Sequence, residues 1–367
     1  MVSNHQQIIE WYNYFHSHPE VSGQEIETTN AIARILDGLG VRYQRFSDCT
    51  GLIAEIGDGD HVVALRADID ALWQEVDGIM RPNHSCGHDA HMAMALGAIL
   101  YLKDKNLERV CRFIFQPAEE KGNGSLWMIE RGAMKDVSSL FGMHVRPKDE
   151  LPYGMFTPSI YHGACVFLEG KITGVDAHGA RPHQGKNAID VVVAVHAYLK
   201  SLYMAPDECY SIKLTKIAAG SESANIIPGT ASFSIDVRAQ NNRVMDALIE
   251  SVENGMHNIA KLYGVQMDYE WLDYTPAATV SEQAEATARE AIIKVAGKDA
   301  LSAAIFTPGS DDFHFYNRKN PDLQTTMIGI GANVQPGLHH PHMTIKTDIL
   351  DKGAQILAEA LQRSKKI

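Results

Sequence analysis

The segment richest in potential chemistry is His84-Ser85-Cys86-Gly87-His88-Asp89-Ala90-His91. A thiolate and an imidazole two residues apart, on a glycine-containing turn into a helix, can converge on one ion. Sulfur and imidazole nitrogen are the ligand types zinc favours, and Gly87 permits the tight backbone. Alone, the segment also suits a buried cysteine beside helix-capping polar residues. Gln116-Pro117-Ala118-Glu119-Glu120 comes next. Adjacent carboxylates at a strand end can divide the work, one binding metal and the other acting as general base. Acids also favour a helix start for its dipole. His144 closes the buried stretch Leu140-Phe141-Gly142-Met143, a place where a satisfied core histidine is also common. Gly337-Leu338-His339-His340-Pro341-His342 gathers late histidines in a turn held by Pro341. Asp68 and Asp70, in Arg66-Ala67-Asp68-Ile69-Asp70-Ala71-Leu72, lie two apart and so share one face of a strand. They suit orienting ligating histidines, binding metal directly, or pairing with Arg66. Each signal alone is modest; together they put soft and borderline ligands on loops at one edge of one sheet.

The elements that must position these residues follow from periodicity. Residues 24–39 carry Ile26, Ile32, Ile35, Leu36 and Leu39 at helical spacing, with Gly40 as the stop. Residues 52–56 and 61–65 read as short strands between Gly and Asp turns. Residues 90–102 predict a helix, and 110–115 and 139–143 predict buried strands. Strands alternating with helices imply an α/β unit: a mostly parallel sheet with helices on both faces. Ligands in such sheets bind beyond the C-terminal strand ends, which is where Asp68, Asp70, Glu119, Glu120 and His144 fall.

The middle of the chain has another rhythm. Strands at 165–173, 210–217, 230–237 and 265–271 and helices at 188–202 and 243–263 run β-α-β-β-α-β, a complete ferredoxin-like α+β pattern. The expected organisation is a catalytic domain of residues 1–164 and 278–367, with an inserted domain at 165–277.

Bulk properties exclude several classes. The 367 residues are 45% hydrophobic and 21% charged, an ordinary globular balance for about two domains. With 33 Lys and Arg against 45 Asp and Glu, the formal charge is −12, which disfavours a nucleic-acid partner. No run reaches the roughly 18 apolar residues of a membrane span. The start, MVSNHQQIIEWYNYF, lacks a basic segment followed by an apolar one, so no secretory signal is expected and the cytoplasm is the predicted location. Five scattered cysteines fit reduced thiols better than a disulfide framework.

Taken in order, the motifs resemble the dinuclear-metal aminoacylase and carboxypeptidase family, in particular its hippurate hydrolase and auxin-conjugate hydrolase branch. They are HPEVSGQE at 18–25, RADIDAL at 66–72, CGHDAH at 86–91, PAEE at 117–120, GMHV at 142–145, AHGARPHQGKNAID at 177–190, ANIIPG at 224–229, GSDDF at 309–313 and LHHP at 338–341. The resemblance implies a zinc-peptidase-like catalytic domain with an inserted lid and dimerisation domain. It also implies two divalent ions per chain: zinc, manganese, cobalt or nickel. By resemblance, Cys86 bridges both, His88 and His144 complete one position, and Glu120 and His339 complete the other. The Leu-His-x-Pro pattern selects His339 over His340 and His342. Glu119 is then the general base. His178 reaches the substrate carbonyl, in relatives often across a dimer interface, and Asn225 and Arg238 hold the substrate, Arg238 through its carboxylate.

Two departures from the family pattern stand out. Trp73 replaces the usual proline after Asp70-Ala71-Leu72, and Asp311 stands where the pattern has Glu.

The implied activity is hydrolysis of the amide bond of N-acyl amino acids by a metal-activated water, in a homodimer or higher homo-oligomer. A dipeptidase or carboxypeptidase using the same metals is the nearest rival. A non-catalytic protein stabilised by zinc is the rival from another class, and it calls for closed four-coordinate sites without a free base.

Overall fold

The strand Val62–Asp68 is buried along its whole length, as the apolar run Val62-Val63-Ala64-Leu65 requires. It is the parallel centre of a seven-stranded sheet. Val110–Gln116 pairs with it on one side and Val137–Pro147 on the other, and Gln324–Val334 extends the parallel set beyond Val137–Pro147. Antiparallel strands finish both edges: Arg42–Arg45 and Leu52–Ile56 on one, Phe156–Thr157 on the other. This mainly parallel core is the α/β class expected. The computed structural model describes residues 3–365. The chain divides into two units: Met1–Tyr161 with Thr279–Phe306 and Asp311–Ile367, and His162–Ala278 with Thr307–Ser310.

Successive side chains of a strand point to opposite faces, so the first unit has two apolar layers. Val63, Leu65, Phe113, Phe115 and Phe141 join a core with the helices Asn4–Ser17, His88–Leu102, Glu282–Ala296 and Leu350–Arg363. Ala64, Ile114 and Leu140 face the other way, against Met128, Phe313 and Tyr316. The helix His88–Leu102 is apolar on nearly every side because helices pack around it: a Cβ at Gly97 would lie 2.6 Å from Ile8 and 2.8 Å from Ala354.

The second unit is an antiparallel four-stranded sheet. Its strands are Ala164–Thr173, Tyr210–Ala219, Thr230–Ala239 and Gln266–Thr275, ordered second, third, first, fourth. The helices Ala188–Lys200 and Asn242–Tyr263 cover one face. Thr230–Ala239 alternates between buried and less buried positions over its ten residues, as a sheet covered on one face demands.

Two local expectations need correction. His144 does not follow its strand; it lies within Val137–Pro147, because the buried run continues through Val145 and Arg146. Residues 72–83 contain an unexpected hairpin, Leu72–Val76 with Ile79–Asn83. Its two-residue turn, Asp77-Gly78, has φ of 54° and 81°. That Asp-Gly signature of a hairpin turn was legible in the sequence. Among the described residues no helix is long and apolar enough to cross a membrane.

Candidate metal centre

Every ligand-type side chain singled out in the first unit sits at the C-terminal end of the parallel strands or on the helix facing it. Two groups of three share the Cys86 thiol: Cys86, His88 and His144, and Cys86, Glu120 and His339, with ligand atoms within 4.8 Å of one another in each group. Cys86 Sγ lies 3.6 Å from His144 Nε2 and 3.3 Å from His339 Nε2. His339 Nε2 is 3.5 Å from Glu120 Oε1, and His88 Nε2 is 3.9 Å from that same oxygen.

The backbone makes this convergence possible at one glycine. Gly87, between Cys86 and the helix start at His88, has φ of 89°, and a Cβ there would come within 2.4 Å of Val145. Only glycine takes both that conformation and that approach cheaply.

Hydrogen bonds set which nitrogen of each imidazole faces inward. His88 Nδ1 donates toward the Asp70 carbonyl at 2.9 Å and Asp70 Oδ1 at 3.1 Å, leaving Nε2 for the centre. His144 Nδ1 donates to the Val145 carbonyl at 2.6 Å, again leaving Nε2. His91, inside the CGHDAH motif, is spent differently: Nδ1 bonds Asp68 Oδ1 at 2.6 Å and Nε2 accepts the Val145 N–H at 3.1 Å. His340 and His342 are also engaged elsewhere, His340 Nδ1 with the His342 N–H and His342 with Asp77.

Asp70 has both oxygens occupied, since Oδ2 also accepts from Ser22 Oγ at 2.6 Å and Glu120 N at 3.0 Å. Its geometry is that of a group orienting His88. Asp68 bonds His91 and the Arg66 guanidinium, the latter at 2.6 Å, and its Oδ2 is 3.6 Å from His88 Nε2. Arg66 is wholly buried and also meets Asp312 at 2.8 Å and Asp311 at 3.2 Å. Asp311, the residue that departs from the family pattern, thus retains a carboxylate at this guanidinium. Trp73 is 59% exposed on the hairpin, so it is not a core residue.

The motif at residues 18–25 fastens the acid-bearing turn. Glu25 is fully buried and accepts from Gly23 N at 2.8 Å, Ala118 N at 2.9 Å and Thr50 Oγ1. Ala118, at φ of 53°, turns the chain so that Glu119 and Glu120 both reach the centre. Sequence reasoning gave no role to Glu25, His91 or Asp312, and to Arg66 only a pairing with Asp68 or Asp70, of which the Asp68 pair is present. Their types and motifs were visible, but the partners of Arg66 and Glu25 lie up to 246 residues away along the chain.

The electrostatics are those of a site short of positive charge. Burial, then the Asp311, Glu120 and Asp312 carboxylates, push Glu119 well above the usual carboxylate range. Burial raises Glu120 to about 7. Burial and then Glu120 raise the Cys86 thiol well above its ordinary value. Asp68 is held well below the usual range: burial opposes its charge, but His88, Arg66 and His91 outweigh it. Two buried atoms, His88 Nε2 and Glu120 Oε1, have no hydrogen-bond partner. An unpartnered buried acceptor is costly, and a divalent ion satisfies both atoms and offsets the crowded negative charge. The residues fit a metal centre on this ground.

In the second unit, His178 and Asn225 are brought together. The strand Ala177–His178 pairs with Ile226–Ile227, and Gly179 N donates to the Asn225 carbonyl at 2.7 Å. His178 is exposed, and its Nδ1 accepts the Ala180 N–H at 3.0 Å, so neutral His178 carries its proton on Nε2. Arg238, on Thr230–Ala239, bonds Asp236 through Nε at 3.1 Å and lies 5.9 Å over the Phe167 ring.

Comparison with known proteins agrees across the whole chain. The model of peptidase family M20/M25/M40 matches residues 64–363. An N-acetylcysteine deacetylase of Bacillus subtilis is 32% identical, over 97% of this chain and 96% of its own length. An IAA-amino acid hydrolase of Arabidopsis thaliana is 30% identical over 94% of this chain and 82% of its own. A solved Bacillus subtilis structure, described as a dinuclear metal binding peptidase of the M20 family, superposes with a TM-score of 0.82 at 28% identity, covering 99% of both chains.

Proposed function

The chain belongs to peptidase family M20/M25/M40 and is a metal-dependent amidohydrolase of N-acyl amino acids; we propose the residues that perform this reaction. Cys86, His88 and His144 hold one divalent ion and Cys86, Glu120 and His339 the other. The observation carrying this assignment is the pair of unpartnered buried atoms, His88 Nε2 and Glu120 Oε1, inside two ligand groups that share one thiol. When bound, such a pair of ions polarises the amide carbonyl and lowers the pKa of the attacking water.

Glu119 is the general base. It accepts a proton as the water oxygen bonds to the amide carbon, then delivers it to the nitrogen as the C–N bond breaks. The products are a carboxylic acid and a free amino acid. Burial first, and then the Asp311, Glu120 and Asp312 carboxylates, raise the affinity of Glu119 for a proton, and the positive charge of the two ions, when bound, would keep it ionised before the attack. Asp68 and Asp70 orient His91 and His88. His178 donates from Nε2 to the developing oxyanion, a contact worth roughly 3–4 kcal/mol in other hydrolases. Asn225 and Arg238 hold the substrate, Arg238 through the carboxylate.

The segment 165–277 serves as lid and dimerisation domain of a homodimer or higher homo-oligomer. The edge strands Tyr210–Ala219 and Gln266–Thr275 of its sheet support that reading, because open strand edges are ready to pair. A cytoplasmic location fits the five free thiols.

Glu119→Gln tests the base. The variant keeps two ions by elemental analysis and loses on the order of 10²–10⁴ in turnover; near-normal turnover would refute the assignment. Comparing an N-acetyl amino acid with a dipeptide separates deacylation from peptidase action.

A further inference from the structure

On the hairpin Leu72–Val76/Ile79–Asn83, Gln74 reaches His339 itself. Gln74 Nε2 donates to the His339 carbonyl at 3.1 Å. Gln74 Oε1 accepts from Asn83 Nδ2 at 2.9 Å and from Ser85 Oγ. A single planar amide thus joins the turn bearing His339 to the segment bearing Cys86. Two further bonds run parallel to it: Asn83 Nδ2 donates to the Pro341 carbonyl at 2.9 Å, and His339 N donates to the Ser85 carbonyl at 2.6 Å.

His339 needs such support more than the other ligands do. Its backbone sits at φ of 64°, a region that costs a non-glycine residue energy. Its side chain is 54% exposed, so core packing does little to hold it. Cys86, His88 and His144 are at most 7% exposed, on a helix start and a central strand.

We infer that Gln74 is a positioning residue for the Cys86–Glu120–His339 half of the centre, and that it sets the affinity of that metal position without setting that of the other. The inference rests on the reading of His339 as a ligand. It requires glutamine for a stated reason: one side chain must donate to the His339 carbonyl and accept from Asn83 and Ser85 at once. Outer partners of this kind typically change metal affinity 10–100-fold when removed.

The test is titration of metal-free protein with zinc in competition with a chromophoric chelator, which yields the number of ions and both dissociation constants. Wild type, Gln74→Met and His339→Ala are compared, with folding checked by near-UV circular dichroism. Gln74→Met should weaken one position by about 10–100-fold and leave the other within about twofold, and His339→Ala should weaken that same position further. If Gln74→Met does not fold, Gln74→Glu takes its place. It keeps an acceptor for Asn83 and Ser85, replaces the donor to His339 by a carboxylate oxygen that faces the His339 carbonyl, and carries the same expectation.

Unchanged constants for both positions, or equal weakening of both, overturn the inference while leaving the ligand assignment standing. A wild type that binds fewer than two ions, or a His339→Ala protein with both constants intact, overturns the ligand assignment and this inference with it.

Discussion

The two groups of ligand-type side chains that share Cys86, the halves of the proposed centre, carry similar ligand atoms and are held by different means. Cys86, His88 and His144 sit in the core, on a helix start and a parallel strand, and each histidine's second nitrogen is tied to a carbonyl or carboxylate. Behind them run Asp68, His91 and the buried Arg66. Glu120 and His339 come from a short 3-10 turn and a loop, and the His339 loop is fastened by side-chain hydrogen bonds. The first half borrows rigidity from the fold, whereas the second must be assembled locally. Disturbing the first should therefore cost stability, and disturbing the second should cost metal.

The largest expected effect is on the core side. Arg66→Met removes the guanidinium shared by three buried carboxylates, Asp68, Asp311 and Asp312. Breaking a buried ion pair from one side costs about 3–5 kcal/mol, readable as a fall in the urea midpoint. An unchanged midpoint would show that the core half is not braced by Arg66.

Chelation comes next. Removing ions held at 100 times their dissociation constant costs about 2.7 kcal/mol of stability for each position. With graded chelator, release should be biphasic, one ion leaving before the other, and His339→Ala should abolish the first phase. Single-phase release of both ions would erase the difference between the halves.

In the metal-free protein, His88→Ala should cost about 1–3 kcal/mol, because the buried Asp70 oxygen loses its donor. His339→Ala should stay within about 0.5 kcal/mol, as an exposed position does. Thermal unfolding of the two variants side by side measures the contrast, and equal losses would contradict it.

The smallest effect lies at the margin of the core side, where His16 Nδ1 meets the buried Asp89 at 2.6 Å. The hydrogen bond to Asp89 raises the His16 pKa in the folded state, although burial opposes it. A raised folded pKa means that the stabilisation is fully present below the ordinary imidazole pKa of about 6.5 and is lost as pH rises through the folded value. The stability gap between wild type and His16→Asn should therefore be widest in mild acid and close toward alkaline pH. A gap that grew with pH would reverse the sign.

Much of the fold was legible. The change from strand–helix alternation to a β-α-β-β-α-β run marks two kinds of sheet, because periodicity follows directly from which face of an element is buried. The Asp77-Gly78 dipeptide carried a hairpin signal in the sequence itself. Of the ligand-type residues singled out in the first unit, the structure gathers Cys86, His88, Glu119, Glu120, His144 and His339 at one sheet edge.

What the sequence by itself determined was therefore the class of fold and the chemical types present, since both depend on local pattern and on functional groups that each residue carries with it. Tertiary structure alone decided which nitrogen of each ring is spent on a hydrogen bond, and that Asp70 bonds His88 while Asp68 is shared with Arg66. It also decided that Gln74 meets a turn 265 residues away. These outcomes depend on distances of a few ångströms between segments remote in the chain, and no local pattern encodes them.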